Sequence, residues 1–158
     1  MKRISISQII ENKDVDKDYC VYGWVRTRRG NKSIVFIMLN DGSTIQNLQI
    51  VVEDKSLIDN VCKNIHTGAS ICVHGQLINS QGAGQSVELI AREINVLGQS
   101  DPDNYPIQPK KHSLDFLRKN AHLRSRTKTF SSVFRVRHGL SFAIHNFFNN
   151  KKFYYINT

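Results

Sequence analysis

Arg26, Arg28 and Arg29 crowd into four positions of GWVRTRRGNKSIVFIMLNDGS, Gly23 to Ser43, and Phe36 follows them across a Gly-Asn turn. Downstream, Gln49 interrupts the apolar run LQIVV and Glu88 interrupts SVELIAREINVLG. These side-chain types together suit an unstacked nucleic-acid base. A planar ring offers stacking, worth about 1–3 kcal/mol per base. Guanidinium groups neutralise phosphates and make affinity fall with salt. A Gln amide presents donor and acceptor together and so matches a uracil edge, while a carboxylate accepts from the N–H groups of guanine. Each residue also has a plainer reading. Arginines at a hairpin blunt a sheet edge against aggregation, Phe36 could pack under the N-terminal helix, and a single Gln or Glu on a strand surface carries no message. Only convergence on one surface separates the two readings.

The elements that would position these groups follow from periodicity. ISISQIIENK, residues 4–13, predicts a short helix capped by Ser5 or Ser7 with Ile9 and Ile10 turned inward. YCVYGWVRTRR alternates, with Val21, Gly23 and Val25 on one face and Cys20, Tyr22, Trp24 and Arg26 on the other. A glycine inside a strand pattern predicts a bulge or bend at Gly23. SIVFIML turns Val35, Ile37 and Leu39 one way and Phe36 the other, NDGS signals a hairpin, and Leu48, Ile50 and Val52 leave Gln49 opposite. In KSLIDNVCKNIHTG, Leu57, Val61 and Ile65 predict a helical stripe that Gly68 stops. ASICVHGQLI and SVELIAREINVLG return to alternation, so Glu88 faces out with Arg26, Arg28, Phe36 and Gln49. The order β-β-β-α-β-β with a bent first strand predicts a mostly β chain built on an OB-fold, the five-stranded barrel whose outer face binds single-stranded nucleic acid, although other small five-stranded barrels share it.

Composition agrees with a polyanionic partner. Lys and Arg number 22 against 13 Asp and Glu, a formal net charge of +9 and a pI near 9.7. No apolar run is long enough to cross a bilayer and no signal-peptide pattern opens the chain, which predicts a cytoplasmic protein. Cys20, Cys62 and Cys72 are odd in number, far apart in sequence and set among apolar residues, and no histidine falls at ligand spacing with a second ligand type. They read as reduced core thiols, with no metal site. GQSDPDNYPIQPKKH holds the three prolines, Pro102, Pro106 and Pro109, and predicts a stiffened hinge. Ser113 then caps SLDFLRKNAHLR. A longer helix from about Phe130 to Asn149 carries Val133, Val136, Leu140, Ile144 and Phe147 on one stripe, and FYYINT follows in strand-like form. That stripe calls for a partner beyond the remaining residues.

These segments in combination resemble the class II aminoacyl-tRNA synthetases for asparagine, aspartate and lysine. GWVRTRRGNKSIVFIMLNDGS, LQIVV and SVELIAREINVLG resemble their anticodon-binding domain. YPIQPKKHSLDFLRKNAHLRSRT resembles the hinge and catalytic-domain start of the asparagine enzymes, where His-Leu-Arg followed by Arg-Thr is typical, and FSSVFRVRHGLSFAIHNFFNNKKFYYINT resembles class II motif 1. The resemblance implies an anticodon-binding domain over 1–97, a hinge over 98–112, and the start of a catalytic domain over 113–158. It implies that Phe36 stacks on the central anticodon base, that Gln49 reads that base, and that Glu88 lies near the first one. Arg26 and Arg28 fall where the family contacts the anticodon loop. Asn79 is a further candidate, and Gln46 a rival to Gln49. The resemblance also implies ATP and Mg2+ as cofactors of the intact enzyme and a homodimer through the motif 1 segment.

Motif 1 in the family ends in a proline, whereas this sequence stops at Thr158, and motifs 2 and 3 do not occur in it. No glycine loop leads into a helix to cradle a phosphate, since GAG at 82–84 sits between strands. The expectation is the N-terminal part of a longer asparaginyl-tRNA synthetase with no catalytic residues of its own. A free-standing RNA-binding module and the N-terminus of an aspartate enzyme are the rivals. The 158-residue chain should therefore catalyse no asparagine-dependent ATP–pyrophosphate exchange, and an exchange rate above an enzyme-free blank would contradict this reading.

Overall fold

Apolar alternation lays down five strands in a computed structural model that describes residues 4–82 and 84–157. Ala83 of the glycine-rich loop and Thr158, on which the reading of a cut chain rests, lie outside the described residues. Strands β1 (Asp18–Gly30), β2 (Val35–Asn40), β3 (Leu48–Val52), β4 (Ser70–Asn79) and β5 (Val87–Gly98) form a closed barrel in the order β1-β2-β3-β5-β4, with β4 returning to β1. Every pairing is antiparallel except that of β3 with β5. This is the OB-fold expected from the order of elements. Inward positions fill the barrel with Val21, Val25, Ile37, Leu39, Ile50, Val52, Ile71, Val73, Leu77 and Leu89, all buried.

Helix α1 (Ile6–Asn12) buries Ile6 and Ile9 in this core and packs Ile10 partly buried against it, so the expected inward pair holds with Ile6 added. Ser5 caps it in a reciprocal box with Gln8, which satisfies two otherwise orphaned backbone donors. Two more are met from the β2–β3 loop: Ile6 N–H donates to Asp41 Oδ2 at 2.9 Å and Ser7 N–H to Ser43 Oγ at 3.0 Å. NDGS is thus less a tight hairpin than the start of a loop that anchors α1. Asn40 holds that loop closed by donating to the backbone oxygens of Thr44 and Gln46.

Helix α2 (Lys55–Asn60), capped by Asp54, is shorter than its sequence pattern and runs through Val61 into a turn of 3₁₀ helix at Cys62–Asn64. Its buried stripe is Ile58, Cys62 and Ile65, while Leu57 and Val61 are only partly buried. The expected stripe of Leu57, Val61 and Ile65 thus forms one flank of the packed face, with Ile58 and Cys62 at its centre.

Register shifts occur at three places that alternation alone did not disclose, one of them at Leu97, between the pairs Ile71 with Val96 and Ser70 with Gly98. Another is at Arg26, between the pairs Val25 with Leu39 and Thr27 with Met38. Gly23, where a bulge or bend was expected, carries no register shift and is a close approach: a Cβ there would lie 2.8 Å from the Asn40 carbonyl oxygen. The third bulge falls at Arg92, between the pairs Gly75 with Ala91 and His74 with Glu93. Arg92 bridges from it to Asp18 at 2.7 Å.

After β5 the segment of prolines is not a free linker. Ile107 is buried, and the Tyr105 ring lies against Gly68 so closely that a Cβ there would sit 2.7 Å from it. The chain divides into two compact units between Lys111 and His112. The second unit contains α3 (Leu114–Lys119), capped by Ser113, and α4 (Lys128–Asn150), capped by Thr127. Val133, Val136, Leu140, Ile144 and Phe147 of α4 are exposed. Residues 153–157 form no strand, contrary to their β-like composition, because no described strand pairs with them.

At Gly75 a Cβ would stand 2.0 Å from the Ile90 carbonyl oxygen, a clash with backbone that no rotamer relieves. Gly75→Ala should destabilise the barrel by about 2–4 kcal/mol in urea unfolding. A loss under about 0.5 kcal/mol would mean that the strands part freely at this bulge.

Candidate nucleic-acid interface

Cross-strand register assembles the candidate residues into rows on the outer wall. One row runs Thr27, Met38, Gln49, Glu88 and Ile78, each paired with the next. The neighbouring row runs Arg29, Phe36, Val51, Ile90 and Gln76. Phe36, Gln49 and Glu88 therefore share one surface, as alternation predicted. Phe36 is half-buried, and the Arg29 guanidinium lies over its ring, 5.6 Å from the centroid. That contact leaves an aromatic platform with positive charge at its edge.

Gln49 and Glu88 point outward but are not exposed; they retain only 5% and 8% of their accessible surface. Burial of two polar groups is tolerated because they bond to each other, Gln49 Nε2 donating to Glu88 Oε2 at 2.9 Å. Ser80 Oγ and Gln85 Nε2, from the two ends of the β4–β5 loop, donate to the same oxygen at 3.2 Å each. Gln85 also donates to Ser80 Oγ. A carboxylate only accepts, so this network fixes the orientation of the Gln49 amide: its nitrogen must face Glu88 and its oxygen must face away. Glu88 Oε1 has no hydrogen bond from any described residue, so both groups keep an acceptor for a ligand. The site can receive N–H donors such as uracil N3–H or the guanine edge.

Two expected members lie elsewhere. The bulge at Arg26 shifts alternation by one residue, so Arg28 pairs with Ile37 on the inward-facing side and it is Arg29 that meets Phe36. Arg28 is exposed at the barrel's end, where its charge acts on Cys62, whose thiol burial pushes up and Arg28 pulls back. Asn79 is the last residue of β4, not part of the following loop. It pairs with Val87 and is exposed on the face opposite Glu88. Arg26 occupies the bulge itself, half-buried. Gln46 is exposed in the β2–β3 loop, outside the row that holds Gln49. Sequence reasoning missed Ser80 and Gln85 in the site. NSQGAGQS reads as turn composition, and nothing in its spacing says which polar residues fold back onto Glu88.

Comparison with known proteins locates this surface in a family. Residues 19–97 match the family model described as an OB-fold nucleic acid binding domain. Asparagine–tRNA ligase of Parabacteroides distasonis is 52% identical over 158 residues, which cover all of this chain and 34% of that enzyme. The chain thus spans about a third of the length of the curated relatives it matches. Entamoeba histolytica asparaginyl-tRNA synthetase superposes with a TM-score of 0.83 at 22% identity, over all of this chain and 37% of the other. The aspartyl-tRNA synthetase of the same organism gives 0.81 at 19%, over all of this chain and 39% of the other.

Removing the amide that faces Glu88 leaves a buried carboxylate short of its best donor. Gln49→Ala should cost about 1–3 kcal/mol in chemical denaturation, whereas Asn79→Ala should stay within about 0.5 kcal/mol. Equal effects would break the assignment of Gln49 and Asn79 to different environments.

Proposed function

Because the chain belongs to the family of OB-fold nucleic acid binding domains, we propose that its barrel binds the tRNA anticodon as the N-terminal part of an asparaginyl-tRNA synthetase. The observation that carries this reading is the single outer wall that holds Phe36, with Arg29 over it, beside the oriented Gln49–Glu88 pair. Phe36 stacks on the central base of the triplet. The Gln49 oxygen accepts from that base's N–H, and Glu88 accepts from the first base. The pair is already desolvated and hydrogen-bonded, so little side-chain freedom is lost on binding. Arg29, with Arg26 and Arg28 nearby on β1, supplies charge for the loop's phosphates. Ser80 and Gln85 hold Glu88 in place, and Asn79, exposed at the last position of β4, could meet the loop only outside the row that holds Glu88.

The intact enzyme would activate asparagine with ATP and Mg2+ and transfer it to tRNA in the cytoplasm. The residues for that chemistry would lie in the two thirds of the relatives' length that this chain does not cover. The exposed stripe of α4 would serve a homodimer of the whole enzyme. Among the described residues no helix is long and apolar enough to cross a membrane.

Titration with anticodon stem-loops carrying GUU, GUC and a scrambled triplet, at two salt concentrations, tests the reading. GUU should bind best, with an affinity on the order of micromolar or weaker, because the isolated part forgoes all contacts to the acceptor end. Phe36→Ala should weaken it by about 10–100-fold, the equivalent of one stacked base. Arg29→Ala should lower the salt slope by about one and weaken binding more than Arg28→Ala. Equal affinity for GUU and GUC would favour an aspartate enzyme, and indifference to all three triplets would leave a general single-strand RNA binder.

A further inference from the structure

Cys20 and Cys72 are 52 residues apart in sequence, and that distance made them read as separate core thiols. Pairing of β1 with β4 brings them together. Tyr22 stands opposite Cys72 and Cys20 opposite His74, which puts all four side chains on one patch of the outer wall. The two sulfurs are 3.4 Å apart, both residues retain 4% of their surface, and neither is in a disulfide. One nitrogen of His74 joins them so that the three ligand atoms lie within 4.8 Å of one another. Neither the Gln49–Glu88 network nor the barrel core uses these groups.

Two thiols in weak mutual hydrogen bonding need no further explanation as a pair. The imidazole changes the chemistry. Two sulfurs and one nitrogen are the donor set that soft and borderline cations select over oxygen ligands. With Zn–S bonds of about 2.3 Å, tetrahedral geometry sets the sulfurs about 3.8 Å apart, a few tenths of an ångström from their present separation. His74 is half-buried, and Glu93, in register with it on β5, is exposed, so the patch opens to solvent on the side where a fourth ligand would enter. Tyr22 is placed to hydrogen-bond both sulfurs, the kind of outer partner that orients thiolate ligands. Asn95, opposite Cys72, donates to Glu93 Oε1 at 2.9 Å and steadies that carboxylate.

We propose that Cys20, Cys72 and His74 form a binding site for a divalent cation of the zinc class, with the fourth position taken by water or Glu93. Binding releases the two thiol protons to solvent and leaves two thiolates and a neutral imidazole on the metal, with no change of oxidation state. The ion clips β1 to β4, so its role is to hold the barrel and not to react.

Co(II) reports the site directly, because thiolate ligation produces charge-transfer bands and tetrahedral geometry produces intense visible bands. Titration of the 158-residue chain under a phosphine reductant should reach saturation at one equivalent and be reversed by Zn(II). Cys72→Ser should cut the thiolate bands by half or more at the same Co(II) concentration, and His74→Ala, at a half-buried and more forgiving position, should weaken Co(II) by about tenfold or more. In thermal unfolding Zn(II) should raise the Tm of the unmodified chain, as expected for a ligand of the folded state, and should leave that of His74→Ala much less affected. Absence of thiolate bands at stoichiometric Co(II), bands of unchanged intensity in Cys72→Ser, or a Tm indifferent to Zn(II) in the unmodified chain would each overturn the proposal.

Discussion

The parallel pairing of β3 with β5 is the contact on which the rest of the molecule depends. Gln49, Ile50 and Val51 lie beside Glu88, Leu89 and Ile90. A connection that includes α2 and β4 must close before that ladder can form, an entropic cost that only cooperative burial offsets. Once made, the ladder seals Ile50 and Leu89 into the core and leaves Gln49 touching Glu88 on the outside. The same register that closes the barrel therefore builds the polar centre of its recognition surface.

That surface is organised by satisfaction and not by exposure. A carboxylate at 8% accessibility would be costly without donors, and three of them converge on one of its oxygens. The arrangement turns a stability requirement into a specificity device, because the donors that allow Glu88 to be buried also dictate which way the Gln49 amide points. A flexible, solvated glutamine could present either end to a base, but this one presents its oxygen. Phe36 and Arg29, in the adjacent row, complete the surface with stacking and charge.

Bulges decide which arginine takes part. One extra residue at Arg26 moves Arg29 next to Phe36 and turns Arg28 toward the Ile37 side. At Arg92 a second extra residue bends β5 over Gly75 and frees the guanidinium to reach Asp18 on β1. Both act locally and both redirect a charge, consistent with the general tendency of bulges to re-aim side chains at functional surfaces.

The sequence by itself determined the order of the barrel's elements, the core face of each strand up to its bulges, and the outward placement of Phe36, Gln49 and Glu88. These follow from the period of two along a strand, which needs no knowledge of neighbours. It also held the capping of α3 by Ser113 and narrowed that of α1 to Ser5 or Ser7, of which Ser5 is the cap, since a cap is a local bond. Only tertiary structure decided the rest. The bulge at Arg26 is a property of two strands in register and leaves no mark on the spacing of RTRR. Burial of Glu88 depends on a loop folding back through Ser80 and Gln85. The meeting of Cys20, Cys72 and His74 depends on pairing across 52 residues, and linear spacing carries no trace of it. Local periodicity fixes which way a side chain points; which partner it meets there is set by long-range pairing.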